Sequence, residues 1–214
     1  MIKVFKNSNL DPFLKNKKYK VVNSRSGKIS EVSNRSNELD WNQSSDDFYF
    51  HQDGSHLKKR PDFVALFCVN VGDPKTKTIF TDTNKVYKDL IKTFDKSFLM
   101  NINAVYIDKD NRKYLRPLIE KSGSKFYVNS FSYAEPNLKG LENKHRRVLP
   151  ILMERLLLEL NVLKKKHTVY EHSWSGGDLV FYDNRIYQHS RINTNPKDKN
   201  RKLLRIWLNK NLLA

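Results

Sequence analysis

The sequence predicts a mainly β protein, a β-sandwich or jelly roll with helices packed outside it, and three observations lead there. Apolar residues fall in short runs of strand length. Turn-forming pairs such as Gly72-Asp73, Gly176-Gly177 and Asp183-Asn184 close those runs. Only two stretches carry a helical period.

The elements follow in order. Residues 21–47 are rich in Ser, Asn and charge and read as loop, with one strand at 28–32. Residues 48–50 form a short aromatic strand, and Asp53-Gly54 supplies the turn after it. Residues 63–71 are almost continuously apolar, which fits a strand buried on both faces. Cys68 lies inside that run as the chain's one cysteine, a buried thiol with no internal disulfide. A β-branched strand follows at 76–81. Residues 84–98 place Val86, Leu90, Ile91 and Phe94 at helical spacing. Residues 125–133 are strand-like. A second helix spans 148–163, with Leu149, Leu152, Met153, Leu156, Leu157 and Leu160 in one core-facing stripe and Pro150 in its first turn. Strands at 179–182, 186–191 and 202–208 close the chain, the last two joined by a loop through Asn195-Pro196.

A length of 214 residues suits one domain. Residues 1–47 form a short N-terminal approach, and 48–214 form the core, with a helical insert at about 84–165. No apolar run reaches the ~20 residues of a spanning helix. The first residues lack the apolar segment of a signal peptide, so a cytoplasmic location without membrane contact is expected. The net charge of +17 raises the question of a nucleic-acid partner. The lysines are scattered, and the composition resembles AT-rich coding, so a solvated surface is preferred. Oligomeric state stays open.

The chemistry rests on a split pattern. His51 and Asp53 stand two apart, so on a strand they point to the same side and can chelate one ion. A third ligand must come from His56, His145, His167, His172 or His189. His189 stands out because it follows a strand and a turn that can hold it rigidly; the other four read as solvated side chains. Two imidazoles and one carboxylate on one face leave three positions of an octahedral iron open. A zinc hydrolase can use the same donors, and the residues alone leave that alternative standing. Arg201 and Arg205 share a strand face with positions 203 and 207, about 13 Å apart along it. Buried guanidiniums require anions, from ligands or from an internal Asp or Glu.

Five stretches then carry a resemblance: FHQDGSH (50–56), RPDFVALFCV (60–69), TIFTDTNKVYKDL (78–90), WSGGDLVFYDNRIYQHSR (174–191) and NRKLLRIWL (200–208). In this order they resemble the Fe(II)/2-oxoglutarate-dependent oxygenases of the taurine dioxygenase and clavaminate synthase type. His-Ser-Arg after Asp-Asn-Arg is similar to the clavaminate synthase and amino-acid β-hydroxylase branch. The resemblance implies a double-stranded β-helix of cupin-like form. It implies Fe(II) on His51, Asp53 and His189, and the distal carboxylate of 2-oxoglutarate on Thr78 and Arg201. It also implies that Arg205 meets an acidic group of the primary substrate. The activity so implied is a dioxygenase reaction with O2, hydroxylating or desaturating a small carboxylate-bearing metabolite, an amino acid or derivative, with succinate and CO2 as co-products. The alternatives are the same chemistry on a protein or nucleic acid, and a non-catalytic metal-binding interaction module.

Overall fold

The computed structural model describes all residues except 16, 24–26, 34–47, 108–111, 131–134, 138–148, 193–194, 196 and 212–214. The first half runs β1 (Ile2–Phe5), α1 (Asp11–Leu14), β2 (Tyr19–Val22), β3 (Ile29–Ser33), β4 (Phe48–His51), β5 (Phe63–Asn70), β6 (Lys77–Asp82), α2 (Thr83–Thr93) and α3 (Lys96–Asn101). It continues with β7 (Asn103–Ile107), β8 (Lys113–Pro117), β9 (Ile119–Ser122), β10 (Lys125–Val128) and β11 (Glu135–Asn137). The chain ends with α4 (Leu149–Lys166), β12 (Thr168–Ser173), β13 (Leu179–Asp183), β14 (Tyr187–Ile192) and β15 (Lys202–Lys210).

Two antiparallel sheets form the jelly roll. The larger has the order β1-β13-β5-β15-β2, with β3 also paired to β15. The smaller has the order β12-β6-β14-β4. Val64, Leu66 and Cys68 of β5 pack with Phe80, Trp174, Tyr182, Leu203 and Trp207 in one cluster. The alternate residue Ala65 joins Leu179, Phe181, Ile206 and Leu208 in another. Both faces of β5 are thus covered, which is why its sequence is apolar without alternation.

The N-terminal residues do more than approach the core. β1, β2 and β3 are strands of the large sheet: β1 pairs β13, and β15 is long enough to pair β5 on one side and β2 and β3 in succession on the other. The stretch expected as a helical insert holds helices at its ends. Between them lie the β11-β7-β8 sheet and the β9-β10 hairpin. Their strands are short and carry Lys113, Arg116, Lys121 and Lys125, so no clean period marks them. The first expected helix breaks after Thr93, where the Asp95 side chain accepts from Phe98 N at 2.9 Å and caps a second helix. Asp82 caps α2 in the same way.

Met153, Leu156, Leu160 and Leu163 of α4 pack against α2 and α3 residues, whereas Leu157 is exposed. Residues 131–133 of the strand expected at 125–133 lie outside the described residues. Among the described residues no helix is long and apolar enough to cross a membrane.

Candidate active site

β4 and β14 are antiparallel neighbours, and His51 sits opposite His189 in their register. Their ring centroids are 4.2 Å apart. Asp53 follows two residues after His51, its Oδ1 3.7 Å from His51 Nε2. One ligand atom from each of His51, Asp53 and His189 lies within 4.8 Å of the others. Residues from the two ends of the jelly-roll core are therefore brought to one point by strand pairing.

The turn after β4 is held by backbone clamps. Asn184, fully buried, accepts from Asp53 N at 3.0 Å and donates to Asp53 O at 2.9 Å and Pro61 O at 3.0 Å. Gln52 points the other way: its Oε1 accepts from Arg60 Nη1 and Ser130 N, and its Nε2 donates to Arg185 O. Gly54 has φ +65, and a Cβ there would stand 2.7 Å from the Pro61 ring, so the tight turn requires glycine.

The electrostatics suit a divalent cation. Burial pushes the Asp53 carboxyl up, but the Arg205 charge and a His51 hydrogen bond outweigh it and hold Asp53 well below the usual carboxylate range. Arg205 Nη1 donates to Asp53 Oδ1 at 2.9 Å, while Asp53 Oδ2 is buried with no partner among the described residues. Burial and the neighbouring His51 pull His189 down to about 3, so its imidazole is neutral near pH 7. Tyr182 OH bonds His189 Nδ1 at 3.0 Å and leaves Nε2 as the ring nitrogen available to a metal. A neutral His189 imidazole, an ionised Asp53 carboxylate and its oxygen without a partner among the described residues fit Fe(II).

A cavity opens beside these donors. His51, His189, Thr78, Arg191, Arg201 and Arg205 line it, along with aliphatic side chains. Arg201 is 2% exposed, and its Nε and Nη1 have no partner among the described residues. Burial and then Arg191 lower its guanidinium to about 10, which leaves it charged near neutrality. Gly72, at φ +66, lets the chain pass close: a Cβ there would lie 2.7 Å from Arg201 Cβ and 2.8 Å from Arg201 N. Thr78 on β6 stands opposite Arg191 in the register with β14. Its Oγ1 accepts from Trp174 Nε1 at 2.9 Å. Arg205 also donates through Nε to Ser30 Oγ at 3.1 Å and lies 5.0 Å from the Trp207 ring centroid.

Five of the six residues singled out from the sequence thus line one cavity, and Asp53 stands beside it against His51 and Arg205. Arg205 already has an internal anion in Asp53, so a substrate carboxylate does not follow from its burial alone. Sequence reasoning passed over Arg191, although it stands two residues after His189 and so shares its strand face. It also passed over Tyr182, Asn184 and Trp174, whose parts depend on tertiary contacts that no spacing announces. His172 corrects an expectation. It is 2% exposed, not solvated, with Nε2 3.1 Å from Asp178 Oδ2 and its ring edge-on to Trp174. Its position on β12 opposite Thr78 turns it inward. His167 lies 2.9 Å from Asp89 and is partly buried. His145 lies outside the described residues.

Comparison with known proteins gives the same direction. A taurine dioxygenase from Burkholderia xenovorans superposes with TM-score 0.73 at 16% identity, covering 98% of this chain and 77% of that one. An asparagine oxygenase solved with Fe(II), 2S,3S-3-hydroxyasparagine and succinate gives TM-score 0.64 at 18% identity, covering 85% of this chain and 56% of that one. PvcB, an Fe, α-ketoglutarate dependent oxygenase from an isonitrile synthetic pathway, gives 0.61 at 19% identity, covering 88% and 66%. No curated protein matches the sequence significantly. Residues 11–207 match the family described as taurine catabolism dioxygenase TauD, TfdA. The chain belongs to that family and is an Fe(II)- and 2-oxoglutarate-dependent dioxygenase.

Proposed function

We propose that this dioxygenase acts on a small carboxylate-bearing metabolite, an amino acid or derivative, and hydroxylates or desaturates one of its C–H bonds. In this reading His51, Asp53 and His189 hold one Fe(II). Thr78 and Arg201 take the distal carboxylate of 2-oxoglutarate, and Arg205 faces an anionic group of the primary substrate. The observation that carries it is a three-donor cluster beside a cavity lined by a buried arginine, two of whose N–H groups have no partner among the described residues.

Bound iron supplies O2 activation coupled to conversion of 2-oxoglutarate into succinate and CO2. The chain's own residues do the rest. Arg201 offers a charge-assisted fork to a carboxylate that must be buried, and fixes which way the co-substrate lies. Val32, Leu66 and Leu203 line the cavity with apolar surface and limit water. Taurine and asparagine, named for two of the structural neighbours, are small zwitterions with one anionic group, a sulfonate in taurine and a carboxylate in asparagine, which supports a small anionic metabolite as substrate.

The test is succinate release across a panel of amino acids and related acids, repeated with His51→Ala, Asp53→Ala and His189→Ala. An amino-acid-dependent signal that needs Fe(II) and vanishes in all three variants is expected. Undiminished turnover in His189→Ala would sink the ligand assignment. A signal with peptides or oligonucleotides alone would move the substrate to a macromolecule.

A further inference from the structure

We propose that Trp174 is a positioning residue for the co-substrate: its indole N–H occupies a lone pair of Thr78 and so commits the Thr78 hydroxyl proton to the anion in the cavity. The proposal rests on the reading of Thr78 as a co-substrate contact.

An indole nitrogen is a donor only, whereas a threonine hydroxyl has one proton and two lone pairs. Trp174 Nε1 lies 2.9 Å from Thr78 Oγ1, so in that bond Thr78 must accept. Its own proton then has to point elsewhere. No acceptor for it is found among the described residues, and Thr78 lines the cavity with Arg201. Thr78 is 3% exposed and Trp174 5%, so bulk water does not compete freely for either group. A lone hydroxyl rotates at little cost and can turn toward a nearby carbonyl. With the indole on one lone pair, the proton is kept out of that direction, which narrows its choices toward the cavity.

The indole is itself braced. His172 meets it edge-on, with ring centroids 4.4 Å apart and planes at 89°. His172 Nε2 stands 3.1 Å from Asp178 Oδ2, and that oxygen accepts from Lys6 Nζ at 2.7 Å and Ser175 N at 2.8 Å. Asp178 is fully buried. The order Asp178, His172, Trp174, Thr78 runs from a fixed carboxylate to a pre-aimed hydroxyl. This is the preorganisation that a site for a buried anion needs.

The experiment is calorimetric binding of 2-oxoglutarate to the Mn(II)-loaded protein, in a double-mutant cycle of Trp174→Phe and Thr78→Val. Trp174→Phe keeps an aromatic ring and removes the donor; it is expected to weaken binding by about three- to tenfold. In the Thr78→Val background the same change should weaken binding no further. Replacing Trp174 by 3-benzothienylalanine, an isostere with sulfur in place of N–H, serves as the second variant where phenylalanine disturbs folding, and the same loss is expected. Equal losses with and without the Thr78 hydroxyl would overturn the proposal and leave Trp174 as packing. If Thr78→Val alone leaves binding unchanged, the reading of Thr78 fails, and the role of Trp174 fails with it.

Discussion

Arg205 and Asp53 divide the labour of one carboxylate: Arg205 Nη1 takes Asp53 Oδ1 at 2.9 Å, and Oδ2 stays buried without a partner among the described residues. Their side chains are 8% and 3% exposed, so the pair is screened little by water. Arg205 thus orients the oxygen left over for a metal, whatever else it contacts.

That double claim on Arg205 can be resolved by a substrate and its carboxamide. If Arg205 also meets the substrate carboxylate, wild type should lose ~2 kcal/mol or more on the amide. Arg205→Met should then distinguish acid from amide only weakly. Equal wild-type affinity for the two would leave Arg205 as the partner of Asp53 alone.

Arg201→Ala should raise the 2-oxoglutarate requirement by tens- to thousands-fold, since losing one side of a buried charge pair costs on the order of 2–5 kcal/mol. Gly72→Ala should push in the same direction, because the new methyl would stand 2.7 Å from Arg201 Cβ. A 2-oxoglutarate titration reads both. An unchanged titration in Arg201→Ala would remove Arg201 from the co-substrate site.

Asn184→Ala deletes three hydrogen bonds and leaves Asp53 N and O without their clamp. The expected loss is roughly 2–4 kcal/mol in urea unfolding. A change below about 0.5 kcal/mol would mean that the turn after β4 is held by other contacts.

Lys164 sits on the buried side of α4 at 5% exposure, and burial lowers its amine from an ordinary 10.5 to about 8. Between those values the unfolded chain binds more protons than the folded one, so stability rises with pH across that window. The rise is roughly 3 kcal/mol. Lys164→Met should flatten it and stabilise the protein near pH 7 by a similar order. Denaturation midpoints at pH 7.5 and pH 10 compare the two. A wild type with no rise between them would show that the amine keeps its solvent.

The sequence made the site legible further than the fold around it. His51 and Asp53 obey the period of a strand, and 63–71 is apolar because β5 is covered on both faces. Both are local rules. β1 and β2 escaped because their membership of the large sheet depends on pairing with β13 and β15, far away in the chain. β7, β8 and β9 escaped because exposed strands tolerate charge on either face, whereas β10 falls within the strand expected at 125–133. Trp174 and Tyr182 looked like core aromatics, and by burial they are. Their polar tips meet Thr78 and His189 only after the sheets close.

The opposition of His51 and His189 across β4 and β14 also makes the site a tie. Its donors lie near the two ends of the core, so an unfolded chain does not present them together. An ion bound there would fasten the early and late parts of the chain as a removable crosslink. Its contribution grows with metal concentration as RT ln(1 + [L]/Kd), about 2.7 kcal/mol at a hundred times Kd. The melting temperature is then expected to report iron status before any substrate is known. A chelator should lower it in the wild type and leave it unmoved once His189 is replaced.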